Sequence, residues 1–234
     1  MKTLGAIKRN PTLADRAYEI IKEAIIVNEL KPGQVLTEEG LAEKLQISRT
    51  PIKSALLRLV YEEIAEYNGS KNVVVSDITE KSIEDITVVR KSLEPLAILL
   101  LENKIAKSEI EELKETQIEQ SYTVDKRNSK EFIDLDYKFH TKIAELTGNT
   151  FLSDMVRKAN LITKRFLILS GTLQQHSRVA SEEHEKIIYY LGGFGMSEFD
   201  FVAALMELQA NDPEGYDLVV ETIHRLSEKQ NEKE

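Results

Sequence analysis

Apolar residues recur along most of the chain at intervals of three and four, the period of helices that bury one face. From Leu13 the recurring set is Ala17, Ile20, Ile21, Ala24 and Ile25, and it stops before Lys31-Pro32-Gly33, which predicts a turn. Thr37-Glu38-Glu39 predicts the opening of a short helix over Gly40 to Leu45, because a hydroxyl cap followed by acids satisfies the free N–H groups at a helix start. Gln46-Ile47 leaves room for only a tight turn before the next helix, Ser48 to Leu59. There Ser48 or Thr50 supplies a hydroxyl cap, and Pro51 suits the first turn, where its missing N–H costs no hydrogen bond. Ile52, Ala55, Leu56 and Leu59 share one arc of that helix, and Arg49, Thr50, Lys53, Ser54 and Arg58 share the other, with Leu57 its only apolar member. Two short helices at this spacing predict a helix-turn-helix. Ile64 to Tyr67 and Val73 to Val75 flank Asn68-Gly69-Ser70-Lys71-Asn72 and predict a small β-hairpin, a wing.

After Ser76-Asp77-Ile78-Thr79 the helical period resumes. Thr79 or Asp77 caps a long helix through Ile83, Ile86, Arg90, Leu93 and Ala97, with Pro95 predicted to bend it. Ile98 to Leu101 is apolar on every side, which predicts burial all round, in a helical core or a dimer seam. Further helices are predicted over Ser108 to Gln120, Ser129 to Leu146, Thr150 to Leu169, Ser181 to Leu191, Ser197 to Ala210 and Gly215 to Ser227, with no strand and no internal repeat. The predicted fold is therefore mostly α, with a winged helix-turn-helix over residues 1–77 and an all-α antiparallel bundle over 78–234.

Composition narrows the function. A hydrophobic share of 41% with 30% charged residues describes a folded globular chain rather than a disordered one. The longest apolar run, Leu96 to Leu101, falls far short of the ~18 residues of a membrane helix, and Met1 to Leu13 has no signal-peptide core, so a cytoplasmic protein with no membrane partner is expected. The absence of cysteine excludes disulfides, thiol catalysis and cysteine-bound zinc, so any metal must use nitrogen and oxygen ligands. The net charge of −9 argues at first against nucleic acid. However, residues 1–77 hold 11 Lys/Arg and 11 Asp/Glu, so the whole acidic excess lies beyond them. A neutral front module can present one basic face, with phosphate attraction that is modest and readily lost to salt.

Asp136 and His140 are four residues apart and share a helix face from which both can reach one ion. His184 lines up with apolar Ile187, Ile188 and Leu191, and His224 sits beside Val220 and Ile223. Taken singly, each histidine reads equally well as a packed imidazole bonded to a carbonyl. His176 fits no such pattern and is read as a surface residue.

The segment NELKPGQVLTEEGLAEKLQISRTPIKSALLRL resembles the GntR family of bacterial transcription regulators. VVRKSLEPLA, DLDYKFHTKIAELTGN and EEHEKI resemble that family's FadR-like subgroup with an FCD effector domain. The resemblance implies a homodimer that binds a two-fold symmetric double-stranded DNA operator through its winged helices, with affinity altered by a small carboxylate effector in the bundle. It places Arg49, Thr50, Lys53 and Arg58 at DNA-contact positions, with Gly69 and Lys71 at the wing tip. Lys53 stands where the family usually has arginine, and lysine cannot make a planar two-pronged contact to guanine. The resemblance further implies a divalent metal site of Asp136, His140, His184 and His224. This donor set suits zinc, with nickel, iron or manganese as alternatives. Arg90 matches an arginine that would grip the effector's anionic group, or would instead pair with Glu94 on its own helix. Leu191-Gly192-Gly193-Phe194-Gly195 reads as an insertion that reshapes the pocket or its lid. An enzyme is not expected, since there is no His-Glu-x-x-His motif, no cofactor glycine pattern and no separate general base. The alternatives are a metal-dependent hydrolase or lyase, and a metabolite sensor with weakened DNA binding.

Overall fold

The computed structural model describes residues 10–126, 128–170 and 177–192. The chain divides into two compact units, Met1–Ile78 and Thr79–Glu234.

In the first unit, α1 (Leu13–Ile26) opens on a capping box in which Thr12 and Asp15 satisfy each other's backbone N–H groups. Its core face is Ala17, Tyr18, Ile21, Ile25 and Ile26, whereas Ile20, expected inside, is exposed. Tyr18 takes the central place because its ring fills the space against the next helices and its hydroxyl still reaches a polar partner. Thr37 caps α2 (Glu38–Leu45) by accepting from Gly40 N, and Gln46 ends it in the left-handed conformation. In α3 (Arg49–Tyr61), Ser48 occupies the cap position without a side-chain hydrogen bond, and Ile52, Ala55, Leu56 and Leu59 form the buried arc. The wing is the antiparallel pair β1 (Ala65–Tyr67) and β2 (Val73–Val75), in register Ala65↔Val75, Glu66↔Val74 and Tyr67↔Val73. The segment after Gly33, whose φ is +73°, pairs with the other edge of β2 through Gly33 N to Val75 O (2.9 Å) and Leu36 N to Val73 O (2.8 Å). At the wing tip the Asn68 carboxamide oxygen accepts from Ser70 N and Asn72 N, which holds Lys71 at φ +61°.

The second unit is helical: α4 (Glu80–Leu101), α5 (Lys107–Lys126), α6 (Ser129–Leu146), α7 (Thr150–Ser170) and α8 (Ser177–Leu191). Its core collects Ala97, Ile98 and Leu101 from α4, Leu113 from α5, Phe139 and Ile143 from α6, Val156 from α7 and Ile187 from α8. Burial at the end of α4 is one-sided within the chain: Ile98 and Leu101 are buried and Leu100 is exposed, because consecutive helical residues point in different directions. α5 runs six residues beyond its predicted end at Gln120, and α8 begins four before Ser181. Among the described residues no helix is long and apolar enough to cross a membrane. The helices predicted over 197–210 and 215–227, the glycines beyond Gly192, and His176 and His224 lie outside the described residues.

Candidate functional site

A cavity of about 320 Å³ lies among the helices of the second unit. α6 contributes Asp136 and His140, one turn apart, α8 contributes His184 and Glu183, and α4 contributes Arg90, Glu94 and Pro95. Asp136, His140 and His184 come together: one ligand atom from each lies within 4.8 Å of the others. The two imidazole Nε2 atoms are 3.1 Å apart. Asp136 Oδ1 is 3.5 Å from that of His184 and 3.9 Å from that of His140.

The surrounding polar groups fix which ring nitrogens carry hydrogen. The Gln120 carboxamide nitrogen faces Asp136 Oδ1 at 3.4 Å, so its oxygen is the atom 2.6 Å from His184 Nδ1, which must donate to it. His140 Nδ1 donates likewise to Glu94 Oε2 at 3.2 Å. In the neutral rings both Nε2 atoms are therefore bare lone pairs, aimed at each other and at a carboxylate oxygen. Such an arrangement is stable only with a cation or a shared proton between them. Phe139 stacks on the His184 ring at 3.9 Å between centroids and holds its plane. Burial, and then the neighbouring His140 and Arg90, keep His184 well below the ordinary histidine range, which favours its neutral, ligating form.

Glu94 organises the other side. Its carboxylate accepts from Arg90 Nε at 2.7 Å and Arg90 Nη2 at 3.4 Å, and from Asn160 Nδ2 at 2.9 Å. Burial works to raise its pKa, but Arg90, His140 and these hydrogen bonds outweigh it and hold the group below the usual carboxylate range. Burial raises Glu183, reinforced by Asp136 and Glu94 against the opposing pull of His140. Arg90 thus lines the cavity and pairs with Glu94 on its own helix.

Gln120, Asn160 and Glu183 were not singled out from sequence. Gln120 lay at a predicted helix end, and no local pattern distinguishes a buried polar residue whose partner is on a distant helix. In the sequence Glu94 stands out only as the partner of Arg90.

In the first unit, Arg49, Thr50, Lys53 and Arg58 are exposed on α3, and Gly69 and Lys71 are exposed at the wing tip. Arg49 pairs with Glu39 at 2.6 Å, and both are well exposed, so this contact is weak and exchangeable for a phosphate. Arg58 is held differently. Its guanidinium lies 3.6 Å over the Tyr18 ring centroid and pairs with Glu62 at 3.2 Å and Asp15 at 3.8 Å. Tyr18 donates to Glu62, and Lys22 reaches both, at 2.7 Å to Tyr18 Oη and 3.2 Å to Glu62.

Comparison with known proteins places both units. Residues 13–75 match the model of bacterial regulatory proteins of the gntR family, and residues 85–191 match the FCD domain. The chain is 26% identical over 172 residues to the HTH-type transcriptional regulator YdhC of Bacillus subtilis, covering 73% of this chain and 76% of that one. It is 28% identical over 154 residues to the Nta operon transcriptional regulator of Aminobacter aminovorans, covering 66% and 71%. In fold it is similar to McbR/YncC of E. coli, with a TM-score of 0.65 at 20% identity over 92% of this chain and 95% of that one. A winged helix-turn-helix followed by a helical FCD domain makes this chain a transcriptional regulator belonging to the GntR family.

Proposed function

We propose that this regulator reads a small carboxylate metabolite through a divalent metal held by Asp136, His140 and His184, with His224 as the fourth ligand implied by the family resemblance. The observation that carries this reading is the pair of bare Nε2 lone pairs facing each other at 3.1 Å beside the Asp136 oxygen. The donors are hard or borderline, nitrogen and oxygen only, which fits zinc and also nickel, iron or manganese. When bound, such an ion supplies positive charge and open coordination positions for a carboxylate. Arg90, partly neutralised by Glu94, adds hydrogen-bond donors on the same wall.

The DNA face is made by Arg49, Thr50 and Lys53 with Gly69 and Lys71 of the wing, and Arg58 reaches it only from its anchored place on Tyr18. Acting as a cytoplasmic homodimer, the protein binds a two-fold operator. The effector shifts affinity by favouring one of two states of the dimer.

Elemental analysis of the purified native protein tests the metal centre. About one ion per chain is expected, falling to background in His184→Ala. Unchanged content in the variant, or none in the native protein, defeats the reading. In gel shifts with DNA flanking its own gene, specific binding at low salt is expected and should weaken in Arg49→Ala.

A further inference from the structure

Glu183 stands next to His184 on α8 and lines the same cavity, within electrostatic reach of His140, Asp136, Glu94 and Arg90. Among the described residues no group donates a hydrogen bond to it and no cation forms an ion pair with it. Of the cations nearby, Arg90 acts on it electrostatically but is ion-paired with Glu94, and Lys91 has interactions of its own. With a divalent ion on Asp136 and two neutral imidazoles, one effector carboxylate completes neutrality on the metal side. Glu183 then remains as a negative group facing the effector from the adjoining wall. Glu183 is partly buried, and a carboxylate so placed gains from a cationic or hydrogen-bond-donating partner. Beside Thr87, Thr163 and Lys91, the lining includes Pro95, Ile98, Phe132, Leu167 and Ile187, an apolar surface that suits an apolar side chain.

We propose that the effector is a small amino-carboxylate, an apolar 2-amino acid being its simplest form, and that Glu183 receives its ammonium group while the carboxylate end meets the Asp136–His140–His184 cluster. The inference rests on the effector reading above and adds its chemical class. The cavity, at about 320 Å³, has room for a ligand of that size beside a metal ion. Selectivity follows from the same physics, because an analogue lacking the ammonium group leaves the Glu183 carboxylate without a partner.

The test is calorimetric titration of full-length, metal-loaded protein with alanine, valine and leucine, and with the 2-hydroxy and unsubstituted acids of the same carbon skeletons. At least one amino acid is expected to bind about tenfold or more tighter than both of its counterparts. Glu183→Gln should erase that preference while keeping its metal, by elemental analysis, and its affinity for the unsubstituted acid. The inference is overturned if the hydroxy or unsubstituted acids bind as well as every amino acid, if none of the amino acids binds, or if the preference survives in Glu183→Gln. Loss of metal from Glu183→Gln also overturns it, by making Glu183 a metal ligand. Failure of the underlying metal reading is separate: it appears as metal content that His184→Ala does not change.

Discussion

At the level of single residues, Gln120 decides how His184 presents itself. It is 1% exposed, accepts from His184 Nδ1 and donates to Asp136, so one carboxamide orients two of the candidate ligands. Replacing it with leucine keeps a buried side chain of similar size and removes both contacts. His184 is then free to take the other tautomer, with hydrogen on Nε2, where it cannot ligate. Gln120→Leu is therefore expected to weaken metal binding by about 10- to 100-fold. Competition with a chelator of known affinity measures that directly. An affinity equal to that of the native protein would show that Phe139 stacking alone orients the ring.

At the level of elements, α1 and α3 are tied by a polar cluster at the edge of their apolar contact. Glu62, just past the end of α3, accepts from Tyr18 and Lys22 of α1 and from Arg58 of its own helix. Partial burial acts to raise the Glu62 pKa, but the Tyr18 hydrogen bond, Lys22 and Arg58 outweigh it, and the group lies below the ordinary glutamate value. A depressed carboxyl stabilises the fold fully above its unfolded pKa, near 4.3, and that stabilisation is lost as pH falls through the folded value. At pH 7 Glu62→Gln should cost roughly 1–3 kcal/mol, and the difference from the native protein should shrink as pH drops below about 4.3. Urea unfolding followed at several pH values, with a probe in the first unit, reads this. A difference independent of pH would assign the cost to lost packing. Sequence periodicity could not reveal the cluster, though it found the two helices, because Ile52, Ala55, Leu56 and Leu59 repeat along one stretch of chain. Local repeats record which face is buried, but not what meets it. Thus Tyr18, whose partner Glu62 is 44 residues away, was passed over for Ile20, and Gln120 and Asn160, with partners 64 and 66 residues away, were invisible. Asp136 and His140 were legible for the opposite reason: their relation is one turn of a single helix.

At the level of the whole molecule, charge is divided unequally. The chain carries −9 in total, yet its first 77 residues balance 11 basic against 11 acidic side chains. A regulator built this way cannot rely on a broad positive field to find DNA, and the acidic remainder repels phosphate at long range. Binding must come from few, local contacts. Three cations, Arg49, Lys53 and Lys71, are exposed on the proposed face of each protomer, while Arg58 is engaged with Glu62, Asp15 and the Tyr18 ring. In the proposed dimer, two protomers would then neutralise about six phosphates, which corresponds to a slope of log K against log salt near −5 for duplex DNA. If Lys53 meets phosphate, Lys53→Ala should make that slope shallower by about two, since the substitution falls in both protomers of the proposed dimer, and reduce affinity for operator and random DNA alike. If it meets a base edge, affinity should fall for operator alone with the slope little changed. Fluorescence anisotropy across a salt series, with the operator and a scrambled duplex, measures both quantities. A native slope steeper than about −8 would require further cations, and Lys2, Lys8 and Arg9 cluster at the amino end as one source. Removing residues 2–9 would then restore the shallower slope, whereas a steep slope that persists would place the contact surface elsewhere than α3 and the wing.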